Sequence, residues 1–156
     1  MTVPSGKASE KDRQFMRLAY EEARAGYEEG GVPVGAVMVE DGEVIGRGRN
    51  RRVQDGNPIS HGETDCMKNA GRRPDYSKVT MYTTLSPCMM CTGTIIQFGI
   101  GRVVIGEDKN FAGNIDFLRQ RGVEVTLLED SDCIELMRTF IEQRPDLWYE
   151  DIAGNE

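Results

Sequence analysis

Apolar positions along the first third of the chain return at two different periods. Phe15, Met16, Ala19, Tyr20, Ala23 and Tyr27 recur at helical spacing, which predicts an amphipathic helix. Ser9 and Asp12 supply its start signal, a capping box with Asp in place of Glu, and Gly30-Gly31 supply its stop. Val34 to Val39 is an apolar, β-branched run, Asp41-Gly42 is a hairpin turn pair, and Glu43 to Gly48 reads as the returning strand. A loop rich in Gly, Asn and Pro then runs to His61.

Beyond that loop helix and strand signals alternate. His61 to Ala70 favours a helix stopped by Gly71, Val79 to Thr84 a strand, and Cys88 to Phe98 a helix closed by Gly99. Arg102 to Ile105 is a short strand, Ile115 to Arg121 a helix ended by Gly122, and Val123 to Leu128 a strand. Ser131 is placed to cap a helix through Ile141, and Pro145 opens a last short helical turn. A hairpin followed by this alternation predicts an α/β fold: a three-layer α/β/α sandwich around a central mixed five-stranded sheet. No repeat, low-complexity tract or linker divides the chain, so residues 1–156 are expected to form one domain.

Composition narrows the function classes. No apolar run approaches the ~18–20 residues of a membrane span, and Met1 to Gly6 lacks the apolar core of a secretory signal. Membrane and secreted classes are excluded on this reading, and a cytoplasmic location follows. The net charge is -7, and residues 129–156 carry 9 acidic and 2 basic side chains, which is the whole excess. Nucleic-acid binders usually present the opposite sign. Arg47, Arg49, Arg51 and Arg52 cluster locally, as do Arg72 and Arg73, and read as a solvated surface.

Four cysteines and a single histidine carry the candidate chemistry. His61-Gly62-Glu63 precedes Pro87-Cys88-Met89-Met90-Cys91, with Cys88 27 positions after His61. Zinc takes imidazole and thiolate ligands, and cysteines three apart share one side of a helical turn. Three protein ligands leave a fourth position for water, the pattern of catalytic zinc. Both motifs open a predicted helix, where the backbone N–H groups favour thiolate over thiol. Glu63 is placed to shuttle protons. A Cys-x-x-Cys pair alone also suits a redox site or half a zinc ribbon, and Cys66 or Cys133 could close a structural site. Cys66, about 140° round a helix of 3.6 residues per turn from His61, points away from its metal. Cys66 and Cys133 therefore read as small buried hydrophobes.

His-x-Glu followed by Pro-Cys-x-x-Cys is the signature of zinc nucleobase deaminases. The chain resembles the cytidine-deaminase superfamily, and within it the small cytosine deaminases known from yeast. The likeness runs through GYEEGGVPVG (Gly26 to Gly35), TTLSPCMMCTGTII (Thr83 to Ile96) and RPDLWYEDI (Arg144 to Ile152). It implies one zinc per chain on His61, Cys88 and Cys91, with Glu63 as proton shuttle in the hydrolysis of cytosine to uracil and ammonia. It further implies that Asn50 bonds the base's ring carbonyl and Phe111 stacks on the base. Trp148 would form part of a C-terminal lid, and Asp151 would accept the ring N–H that a nucleoside replaces with ribose. A homodimer and a role in pyrimidine salvage are implied likewise.

Other readings stand beside these. Trp148 could anchor the core, Asp151 could be one more solvated acid, and Asn50 could serve turn chemistry. Arg49 stands where the yeast enzymes carry histidine, and Thr64-Asp65-Cys66 and Asn114 to Phe117 also differ from them. The same zinc chemistry could serve isocytosine, guanine, creatinine, cytidine or a tRNA adenosine. A non-catalytic zinc module would need a fourth protein ligand.

Overall fold

The computed structural model describes residues 8–154, so the stretch Met1 to Gly6 lies outside the described residues. Helix α1 (Glu10–Glu28) starts as its sequence predicts: Ser9 Oγ accepts the Asp12 N–H and Asp12 Oδ2 accepts the Ser9 N–H, each at 3.0 Å. A hairpin of β1 (Gly35–Glu40) and β2 (Glu43–Arg49) follows. Then come α2 (Arg52–Asp55), α3 (Gly62–Ala70), β3 (Thr80–Thr83), α4 (Met89–Gln97) and β4 (Arg102–Ile105). The chain ends in α5 (Ile115–Gln120), β5 (Glu124–Leu127), α6 (Ser131–Gln143) and α7 (Pro145–Asp151).

Among the described residues the strands form one five-stranded sheet in the order β2-β1-β3-β4-β5. β1 runs antiparallel to β2 and β3, and β3, β4 and β5 are parallel. The alternation of side chains sorts the strands' residues between two cores. Ala36, Met38, Met81, Val103, Ile105 and Val125 pack with Cys66 of α3, Ile95 of α4 and Leu118 of α5. Val37, Val39, Tyr82 and Val104 face the other way, against Met16 and Ala19 of α1 and Cys133 of α6. The predicted α/β/α layering is the observed one, and Cys66 and Cys133 are core hydrophobes.

Three local readings change. The loop before His61 contains α2, a four-residue helix with no apolar periodicity to announce it. The N-cap of α6 is Asp130, whose carboxylate accepts the Cys133 N–H, rather than Ser131. The last turn extends to a seven-residue helix with Pro145 at its start.

Two contacts place the site. A Cβ at Gly48 would lie 2.3 Å from the Cys66 nitrogen, so only glycine lets α3 lie directly on β2. Asp12 clamps α1 to the sheet: Arg102 donates to both its oxygens at 2.9 and 2.8 Å, and the Tyr82 hydroxyl donates at 2.8 Å. Burial works to raise the Asp12 pKa, but the bonds from Arg102, Ser9 and Tyr82 outweigh it and hold the carboxyl well below the usual carboxylate range. A depressed native pKa contributes stability at neutral pH, and that contribution is lost as pH falls below the unfolded value of about 3.9. Asp12→Asn is therefore expected to cost about 3 kcal/mol at pH 7. Its denaturation profile should also flatten between about pH 4 and pH 2, where the parent chain loses stability. An unchanged acid limb in urea titrations would contradict this account.

Candidate active site

The site lies where the parallel strands β3 and β4 end and α3 and α4 begin, the crevice in which open α/β sheets bind ligands. His61 is the N-cap of α3 and Cys88 the N-cap of α4. The two helices thus aim both motifs at one point. Thr64 Oγ1 accepts the His61 N–H at 3.0 Å and fixes the entry to α3. Thr92 Oγ1 and Asn114 Nδ2 both donate to the Pro87 carbonyl, at 3.3 and 3.4 Å, and fix the turn before Cys88.

His61 Nδ1 lies 3.4 Å from Cys88 Sγ and 3.6 Å from Cys91 Sγ. Donor atoms of these three residues all fall within 4.8 Å of one another, so they could share one ion. The Cys91 N–H points to Cys88 Sγ at 3.5 Å. A hydrogen bond from the Cys91 thiol, opposed by burial and aided by His61, lowers the Cys88 pKa to about 4, while the bond to Cys88 and burial push Cys91 up. Soft sulfur and imidazole donors in this arrangement fit zinc. Cys66 and Cys133 lie in the two cores, so among the described residues the group that fits a metal consists of His61, Cys88 and Cys91.

Glu63, in the first turn of α3, is 3% exposed, and burial together with the nearby Cys88 sulfur raises its pKa to about 7. A small, partly open chamber is lined by Glu63, His61, Cys88, Asn50, Phe111, Trp148 and Asp151. Every predicted site residue except Cys91 therefore lines this chamber, and Cys91 adjoins it through His61. Leu85, Ser86, Val34 and Ile152 complete the walls. All four fall within the segments that carry the family likeness, but as ordinary apolar or small side chains none of them announces a role in the site.

The alternatives for individual residues turn out to be compatible. Asn50 Oδ1 accepts the Arg52 N–H at 3.0 Å, which is turn chemistry, while its Nδ2 points to Asp151 Oδ1 at 3.4 Å. Trp148 is 4% exposed and belongs to a third core with Val32, Met137 and Phe140, yet it also meets Phe111 edge to face at 6.0 Å and walls the chamber. Asp151 is buried rather than solvated. Its Oδ1 lies 3.3 Å from His61 Nε2 and 3.9 Å from Arg52 Nε. A carboxylate behind the histidine's second nitrogen is a usual accompaniment of zinc-ligating imidazole.

Most of the clustered arginines are half-buried and paired with acids rather than free in solvent, while Arg72 is exposed as expected. Arg47 and Arg49 pair with Glu22, Arg49 also with Glu29, Arg51 with Asp55, Arg52 with Glu150, and Arg73 with Glu40. Arg52 ties α2 to α7, the helix that carries Trp148 and Asp151.

The family model of the cytidine and deoxycytidylate deaminase zinc-binding region matches residues 9–107. A cytosine deaminase of Candida albicans is 46% identical over 145 residues, 91% of this chain and 97% of that protein. A tRNA-specific adenosine deaminase of Streptococcus pyogenes serotype M1 is 32% identical over 146 residues, 86% and 85% of the two chains. Among solved structures, a tRNA:A34 deaminase superposes with a TM-score of 0.71 at 31% identity over 80% of this chain and 99% of its own. A guanine deaminase of Nitrosomonas europaea does so with 0.71 at 26% identity over 86% and 85%. Fold, zinc-fitting donor set and sequence agree, and this chain belongs to the cytidine and deoxycytidylate deaminase family.

Proposed function

We propose that this chain hydrolyses free cytosine to uracil and ammonia. The observation that carries the reading is the pairing of Asp151 with Asn50, 3.4 Å apart, in the chamber that Glu63 also faces. His61, Cys88 and Cys91 would hold one zinc per chain. When bound, it supplies a water acidic enough to ionise near neutral pH.

The side chains divide the remaining work. Asn50 Nδ2 donates to the ring carbonyl, and Asp151 accepts the ring N–H beside it. Phe111 stacks on one face of the base, and Trp148 closes the chamber from α7 and keeps bulk water out. Glu63 takes a proton from the water, gives it to the ring nitrogen next to the amine-bearing carbon, and then relays a proton to the departing amine. A carboxyl raised to about 7 is suited to both taking and giving protons near neutrality.

Asp151 also supports the choice of a free base. In a nucleoside the N–H is replaced by ribose, which would crowd Asp151 and leave its carboxylate buried without that donor. A tRNA substrate is disfavoured, since the local arginine cluster of Arg47, Arg49, Arg51 and Arg52 is engaged with acids. We place the enzyme in the cytoplasm as a single-domain homodimer serving pyrimidine salvage. Among the described residues no helix is long and apolar enough to cross a membrane, and an exposed Phe98 beside Met67 and Tyr76 offers an apolar face for a second copy.

Ammonia release from cytosine, cytidine and guanine by zinc-loaded protein tests the proposal. Turnover of cytosine at least about 10³-fold above cytidine is expected. It should vanish on chelation and return with added zinc. Release from guanine alone, or from none of the three, would overturn the substrate assignment.

A further inference from the structure

The loop that presents Phe111 is held by a buried carboxylate that plays no part in the proton transfers. Glu107 follows β4 and is 0% exposed. Its Oε2 accepts the N–H groups of Lys109 and Asn110 at 2.7 and 3.0 Å, and its Oε1 accepts Asn110 Nδ2 at 2.9 Å. Asn110 Nδ2 also donates to the Ile134 carbonyl on α6 at 3.0 Å. The Glu107 carbonyl accepts the Ser86 N–H at 2.9 Å, two residues before Cys88. Glu107 and Asn110 together thus join the segment after β4, the turn before Cys88 and α6, and the next side chain after this knot is Phe111.

Burying a carboxylate is costly, and here burial raises its pKa against the N–H groups it accepts. A solvated acid would serve a mobile surface turn equally well. The buried one is needed only where the turn must keep a single shape. We propose that Glu107 is a positioning residue for the deamination, setting the Phe111 ring against the substrate through the 108–110 loop. The proposal rests on the assignment of Phe111 as the stacking surface.

Glu107→Gln replaces one acceptor with an N–H donor facing the loop's own donors. Zinc-loaded Glu107→Gln, Phe111→Ala and the double variant are compared with the parent chain for KM and kcat on cytosine. Trp148, the sole tryptophan, reports by fluorescence on the aromatic wall. Glu107→Gln is expected to keep its zinc, raise KM about tenfold with kcat changed less than about threefold, and shift Trp148 emission to the red. In the Phe111→Ala background the same change should move KM by less than about twofold, because its effect runs through the missing ring.

Multiplying KM effects in the double variant, or an unaltered KM in Glu107→Gln, would overturn the proposal. Asn110→Ala, which keeps the Glu107 bonds to the backbone, carries the same comparison if Glu107→Gln does not fold. A raised KM for Phe111→Ala beside an unaltered one for Glu107→Gln defeats this proposal alone. An unaltered KM for Phe111→Ala defeats the stacking assignment as well.

Discussion

Glu63→Ala is expected to bind one zinc per chain and to lose about 10⁴-fold in kcat on cytosine, the upper range for a general acid–base group. The group that fits zinc consists of His61, Cys88 and Cys91, so removing the carboxylate takes no ligand away. Glu63 is nevertheless buried in the same chamber, and the proposed mechanism has it carry protons in both directions. Glu63→Gln keeps the shape without a carrier for the proton and should be nearly as slow. Metal analysis, a thermal melt and single-turnover kinetics on the same preparations separate the outcomes. An alanine variant with turnover near that of the parent would remove Glu63 from the mechanism, whereas one without zinc would make it part of the metal site.

What could be read in the sequence was chemistry confined to short distances along the chain. The Ser9–Asp12 capping box closes within one helical turn, so it needs no tertiary information and forms as predicted. The alternation of Ala36, Val37, Met38 and Val39 sends them to opposite cores because strand geometry leaves no choice. His61, Cys88 and Cys91 are legible because the only histidine, a nearby Glu and a Pro-Cys-x-x-Cys pair occur together, each at a predicted helix start.

Residues whose meaning depends on burial were not legible. Glu107 in the string Gly106-Glu107-Asp108 looks like one more surface acid, and only its three N–H partners distinguish it from Asp108. The arginines from Arg47 to Arg52 looked solvated because their partners, Glu22, Glu29 and Glu150, lie far from them in the chain. Helix α2 carries no sequence signal for a related reason. It is held by the Asn50 side chain and by Arg52 reaching α7, rather than by an apolar stripe of its own.

Asp151 shows how two requirements meet in one side chain, and its replacement has the second large expected effect. The carboxylate faces Asn50 and the chamber on one side and His61 Nε2 on the other. On the proposed reading, removing it takes away the acceptor for the ring N–H and the support of the His61 imidazole together. Asp151→Ala is expected to lower kcat/KM on cytosine by about 10²-fold through the lost charged hydrogen bond, and to weaken zinc binding by about 10–100-fold. Zinc concentration separates the two parts. At saturating zinc the metal-dependent loss disappears, and the loss on cytosine should persist, mostly in KM. Full recovery by excess zinc would reduce Asp151 to a support for His61. Because α7 also carries Trp148 and is tied to α2 by Arg52, a persistent loss would mean that the helix closing the chamber also selects what it closes on.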